Sequence, residues 1–492
     1  MWCDLVKLDD QWKYYPDVAV KIPSLKDGDW QLLPNKKMKV TFKLKRTYKW
    51  HDGKPVTAED FVWTFRMRKN PLTPVVSRSL DDRIDNVLAP DPYTVTYQYN
   101  QIYAYANIDT DALLPAHLLR PEYNRDPAKI DKSSFTRAPV GCGPYKFKQW
   151  SPGNFIELEA SPDTWGGAEK PKVRFITYRF MLDSTVLTAN LIAGEGDATA
   201  TANLSIEQLG EIERRSGGRA VTHFTEGLVW EHFDFNLDNE WLKDKRVRQA
   251  IAHAIDREAI VRTLFQGRQP VAHAYLAPKH FAYNPNVKKY GFDPARAKAL
   301  LAEAGFTPGP DGVLRDASGR RFEISIMTTA GNASREQIEQ IIKDQVRQVG
   351  IDLRIDNRPA SVLFGQVTRQ RTFPHLVMYA WVSSPITHFR TILRSTEIPT
   401  AANNYVGQNT PGWKNSEMDS LLDQADEELD QAKRAALLRK AQEIWAEDLP
   451  SVPLYFRLDL DVSRPALKNF KPRGTGATPF GNNTWNTDAW SF

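Results

Sequence analysis

The stretch FEISIMTTAGNASREQIEQIIKDQVRQVGIDLRI, residues 322–355, decides the fold. It reads as a strand over 322–330, a helix over 334–349 and a second strand over 351–355. Strand, helix and strand in one short span is the pattern of an α/β crossover unit. The pattern extends to both sides. VRQAIAHAIDREAIVRTLF (247–265) predicts two helices, with Asp256 as the N-cap of the second. PARAKALLAEA (294–304) predicts a short helix with Pro294 at its N-terminal edge and Gly305 at its end. LVMYAW (376–381) reads as a strand ending on a tryptophan, 416–447 as two helices, and VPLYF (452–456) as a final strand.

The first half has a different texture. MKVTFKLKR (38–46) alternates Val40, Phe42 and Leu44 against Thr41, Lys43 and Lys45, which predicts a half-buried strand. His51-Asp52-Gly53 reads as a turn, and Thr57 to Asp60 as a capping box opening a helix that carries Phe61 and Phe65. YTVTYQY (93–99) is another alternating strand, and the polar, proline-containing stretch 120–139 reads as loop. YKFKQW and FIELEA, joined by Ser151 to Asn154, predict a hairpin. A strand follows through Val173–Phe180, then a helical pattern over 184–194 and a short aromatic strand at Trp230–Phe235.

Composition narrows the function classes. The 492 residues are 41% hydrophobic and 25% charged, ordinary for a globular chain of about three domains or subdomains. A net charge of +5 with no long basic run gives no support to nucleic-acid binding. No run of about 18 apolar residues is present, so no transmembrane helix is expected. The two cysteines, Cys3 and Cys142, are too few for a disulfide framework or a structural zinc site, and a single bond between them stays open. The nine histidines are scattered singly, and no nucleophile-elbow, zincin, phosphate-loop or C-x-x-C motif occurs. No catalytic residue, metal site or cofactor is therefore expected. MWCDLVKLDD at the start shows neither the charged nor the apolar region of an export signal, which leaves a cytosolic chain or one separated from its export segment.

Six blocks, taken in order, resemble one family: VTFKLKRTYKWHDGKPVTAEDFVWTF (40–65), VGCGPYKFKQWSPGNFIEL (140–158), LIAGEGDA (191–198), FDFNLDNEWLKDKRVRQAIAHAIDREAI (233–260), YGFDPARAKALLAEAGF (290–306) and DLPSVPLYF (448–456). The chain resembles the family 5 extracellular solute-binding proteins of ATP-driven (ABC) importers. Cys142 stands where that family usually has threonine. The resemblance implies an α/β, two-lobed, periplasmic-binding-protein-like fold of type II, in its large three-subdomain form with a hinge between lobes. Lobe I would comprise 1–234 plus 459–492, including an extra subdomain at about 15–137, and lobe II would comprise 235–458. Strands near 230–236 and 452–460 would make the two crossings. MWCDLVKLDD resembles the segment that follows the family's opening strand, so the chain as given is expected to lack that strand and to expose a sheet edge.

The implied function is non-enzymatic: a monomer in the periplasm or on the outer face of the cell membrane captures a solute and delivers it to a membrane permease. Oligopeptides rank first as solute, then oligosaccharides or another uncharged solute, then a nickel chelate or haem-type ligand. A cytosolic ligand sensor on the same fold and a two-lobed hydrolase are the alternatives. The leading ligand contact is Trp381, on the same strand as Tyr379, with a core role as its alternative. Peptide-binding members place an aspartate three residues after the matching tryptophan, to hold the peptide ammonium. Here that position is Ser384, which weakens but does not exclude a peptide. Arg369, twelve residues before Trp381, either reaches a ligand carboxylate or is a solvated loop arginine. Trp230 and Tyr455 are candidates through the crossing strands. Trp50, Trp63, Trp150 and Trp165 read as core.

Overall fold

The computed structural model describes the chain except residues 76, 77, 79, 111, 112, 162–165, 167–169, 182, 201–203, 387, 388, 404 and 475–482. Trp165 lies outside the described residues. The chain divides into two compact units: Met1–His223 with Leu460–Arg473 and Pro479–Phe492, and Phe224–Asp459 with Gly474–Thr478. The sequence puts the first boundary at 234/235. The strand Val221–Phe235 instead contributes all but its first residues to the second unit.

The first unit holds a four-stranded antiparallel sheet in the order Trp30–Leu32, Met38–Lys43, Thr94–Tyr99, Ile84–Asp91. Alternation sets its faces: Met38, Val40 and Phe42 are buried, while Lys39, Thr41 and Lys43 stay half-buried or exposed. The helix Ala58–Lys69 opens where the capping box places it, with the Asp60 carboxylate accepting the Thr57 N–H at 3.0 Å. Trp63 and Met67 of this helix pack against Ala116 and Leu119. That contact corrects the reading of 120–139 as loop throughout, because Ala116–Arg125 is a helix despite Pro121 inside it. One backbone hydrogen bond is forfeited at the proline, and burial of Ala116 and Leu119 offsets it. The helix Ile206–Arg215 was also not anticipated, although Ser205 and Gln208 form a full capping box at its start.

The hairpin Tyr145–Ser151 with Phe155–Ala160 is present, and Phe175–Arg179 adds a third, outermost strand. Cys3 and Cys142 are bonded, with their Cα atoms 5.4 Å apart. The Met1 carbonyl accepts the N–H groups of Cys142 at 3.0 Å and Gly143 at 2.7 Å. A Cβ at Gly141 would lie 2.2 Å from that carbonyl oxygen, so glycine there permits the approach.

The second unit is built on a five-stranded mixed sheet in the order Asp352–Ile355, Glu323–Met327, Leu376–Val382, Val221–Phe235, Ser451–Ser463. The first three strands run parallel and the fourth antiparallel to its neighbour. The helix Ala333–Arg347 makes the crossover, burying Ile338, Ile342 and Val346 at helical spacing. Asp256 caps its helix by accepting the Ala259 N–H at 2.7 Å. Two strands are longer than the residue pattern suggests: the aromatic strand at 230–235 starts at Val221, and the final strand, VPLYF by pattern and about 452–460 by resemblance, runs on to Ser463. Polar residues interleaved at Thr222, His223, Thr225 and Glu226, and at Arg457, Asp459 and Asp461, break the apolar runs and hide both extensions from a reading based on them. Among the described residues, no helix is long and apolar enough to cross a membrane.

Candidate functional site

The pairing of Val221–Phe235 with Leu376–Val382 places Trp230 opposite Trp381, Glu231 opposite Ala380 and His232 opposite Tyr379. Side chains alternate along a strand, so Trp230, His232, Asp234, Tyr379 and Trp381 share one face of the sheet and Glu231 points to the other. The shared face is aromatic. Trp230 stacks on His232 with ring centres 4.1 Å apart and meets the edge of Trp445 at 5.7 Å. Tyr379 stands at 74° to Trp381, with ring centres 5.4 Å apart.

Beneath these rings lies one buried carboxylate. The Asp234 Oδ2 accepts the Tyr379 hydroxyl at 2.5 Å, and Oδ1 accepts the Ser451 hydroxyl at 2.6 Å. His232 Nε2 is 3.3 Å from the same Oδ1. Burial, reinforced by the Asp234 charge, pushes the Tyr379 hydroxyl well above its ordinary pKa, so it remains a donor. The carboxylate is satisfied by its own sheet. A small cavity opens beside it, lined by Trp230, Asp234, Trp381, Asn409, Trp413 and Trp445 among others, with room for about one water molecule. The Trp230 indole N–H faces no acceptor among the described residues.

On the opposite face, Glu231 is buried between two guanidinium groups. Arg335 donates to it from Nε at 3.3 Å and from Nη2 at 3.1 Å, and Arg457 donates from Nη2. Burial opposes ionisation, but Arg457 and Arg335 overcome it and hold the carboxyl below its ordinary pKa. This cluster ties the helix Ala333–Arg347 and the strand Ser451–Ser463 to the strand that carries Trp230.

The six candidate residues therefore have different positions. Trp381, half-buried, and Trp230, 1% exposed, line the cavity together. Tyr379 is buried under Trp381, with its hydroxyl also 3.1 Å from the Thr410 hydroxyl. Ser384 is half-buried in the chain just beyond the strand. Arg369 is exposed on the turn Thr368–Gln370. Tyr455 is buried with its ring 4.7 Å from Phe265 and does not line the cavity. Asp234, Glu231, Trp413 and Trp445 join the site without being among the candidates that the sequence offers. Two acidic residues inside the apolar run LVWEHFDF were the available signal, since a charge in a buried strand requires a partner. Among the described residues, no group of three or more His, Cys, Asp or Glu side chains is placed to hold a metal ion.

The chain thus consists of two compact units, the second of which carries an aromatic face on its mixed sheet. The chain belongs to the bacterial extracellular solute-binding proteins, family 5, whose profile matches residues 22–400. It is 30% identical over 422 residues to the oligopeptide-binding protein AppA of Bacillus subtilis, spanning 84% of this chain and 74% of that one. It is 33% identical to the oligopeptide-binding protein of Thermus thermophilus solved with a pentapeptide. That likeness has a TM-score of 0.77 and covers 100% of this chain and 90% of the other. The structure of Bacillus subtilis AppA with a nonapeptide is similar at 25% identity and a TM-score of 0.76, covering 100% of this chain and 92% of the other.

Proposed function

We propose that this protein captures an oligopeptide outside the cytoplasmic membrane and delivers it, chemically unchanged, to the membrane permease of an ABC importer. The observation that carries this reading is the likeness, over the full length of the chain, to a protein solved with a pentapeptide. Within the chain, Trp381 supports it: a flat, half-buried ring beside a cavity provides contact area without a fixed charge. The Asp234 carboxylate is occupied by Tyr379 and Ser451, so its role is to hold the Tyr379 ring under Trp381 rather than to receive a ligand ammonium. Trp230 backs the same cavity from the neighbouring strand. Ser384 offers a neutral hydroxyl, Arg369 an exposed cation for a ligand carboxylate, and Tyr455 a packed support for the final strand. The protein acts as a monomer.

Capture and release follow a population shift, in which the solute stabilises the conformation that the permease recognises. Native mass spectrometry of protein purified from its own host tests the ligand class. The expected result is a ladder of adducts whose released masses sequence as short peptides. Adducts with the masses of sugars would instead favour the uncharged-solute reading, to which the neutral side chain at Ser384 gives some support.

A further inference from the structure

One exposed aromatic residue near the site has no role so far: Phe364, together with the turn that carries it. The segment from Ala360 to Gln370 is helical, but residues Leu363–Val367 form a π-turn. Such wide turns place an extra residue in the helix and are concentrated at functional positions. Here Leu363 and Val367 are buried against Phe373, Val377 and Tyr379, with Trp381 packed on the same cluster. Phe364 lies between them in sequence yet is 45% exposed. Its ring meets Tyr379 at 82° with centres 5.9 Å apart, and Trp381 meets the same Tyr379 ring at 74° and 5.4 Å. Two accessible rings thus meet one buried ring at steep angles, and that ring is fixed by its hydroxyl bonds to Asp234 and Thr410.

We propose that Phe364 and Trp381 form an aromatic clamp, with Tyr379 as its floor, that takes one aromatic or large aliphatic side chain of the bound solute. This rests on the peptide reading and deepens it by naming the side-chain class read at one position. The geometry favours an apolar guest because both accessible side chains are aromatic, and the hydroxyl of the Tyr379 ring they share is already paired with Asp234 and Thr410. A neutral, flat guest gains contact with both accessible rings, whereas a hydroxyl or carboxylate there would lose its water without gaining a partner.

The experiment uses the full chain labelled with 5-fluorotryptophan, with the Trp381 resonance assigned by Trp381→Phe. N-acetylphenylalaninamide is titrated beside N-acetylserinamide. The expected result is a saturable shift of the Trp381 signal with the aromatic amide alone, lost in Phe364→Ala and restored in Phe364→Tyr. In parallel, calorimetry compares pentapeptides in which a single phenylalanine is moved along an otherwise polar sequence. One position should favour phenylalanine over serine by about tenfold in the wild type, and Phe364→Ala should remove that preference. A Trp381 signal that ignores the aromatic amide, or a Phe364→Ala variant that discriminates like the wild type at every position, overturns the clamp. If no pentapeptide binds but the Trp381 signal responds to the aromatic amide as stated, the peptide reading fails and the clamp stands.

Discussion

The Asp234 carboxylate is the residue on which the aromatic face depends. It is 2% exposed and fixes both Tyr379 and Ser451. Tyr379→Phe keeps the ring but strands one oxygen of a buried charge, so it should cost roughly 1–3 kcal/mol of unfolding free energy, read from urea titration. Trp381→Ala should leave the urea midpoint close to wild type because the side chain is only half-buried, yet reduce peptide affinity by about tenfold or more in calorimetry. A second residue governs pH behaviour. Glu339 is fully buried, its Oε2 accepts the Asn357 amide at 2.8 Å, and burial raises its pKa to about 7 from 4.5. The folded state therefore holds this proton over a range where the unfolded chain has lost it. Its contribution to stability is full below about pH 4.5, falls as pH rises towards 7 and is absent above that. Half-buried His51 works in the opposite sense, since desolvation lowers its pKa to about 4 and its contribution is lost on acidification from 6.5. Glu339→Gln isolates the first effect: the variant should be more stable than wild type at pH 8, with the difference shrinking as pH falls towards 5.

At the scale of elements, the bond between Cys3 and Cys142 spans 139 residues of sequence. Closing a loop that long lowers the entropy of the unfolded chain by the equivalent of about 4–5 kcal/mol in the chain-entropy account. Reduction, or Cys142→Ser, should therefore lower the melting temperature of the first unit while the helix content by circular dichroism stays the same below the transition. The sequence could name both partners but not their pairing, because only the fold brings residue 142 to the carbonyl of Met1. Elements with strong local signals were legible: the alternation at Met38–Lys43, the Asp256 cap and the strand–helix–strand of 323–355 all appear where the residue pattern puts them. Ala116–Arg125 was not legible, since Pro121 argues against a helix locally and only packing on Trp63 and Met67 favours one. The aromatic face was half legible. Trp230, Tyr379 and Trp381 stand out as residues, but their assembly depends on a register between strands some 150 residues apart in sequence, and Phe364 becomes conspicuous only through its exposure on a π-turn.

For the whole molecule, the native state is expected to bind one solute class, oligopeptides, in preference to others. A ligand that binds the folded chain and not the unfolded one raises the melting temperature by mass action, by the equivalent of about 2.7 kcal/mol at a hundred times its dissociation constant. The most direct measurement is a thermal-shift screen of the oxidised chain against pools of oligopeptides, oligosaccharides and nickel–histidine chelates at matched concentrations. A saturable rise of several degrees is expected with peptide pools, reduced in Trp381→Ala, and none with the other two classes. A rise with the sugars or the nickel chelate, and none with peptides, would contradict the peptide reading.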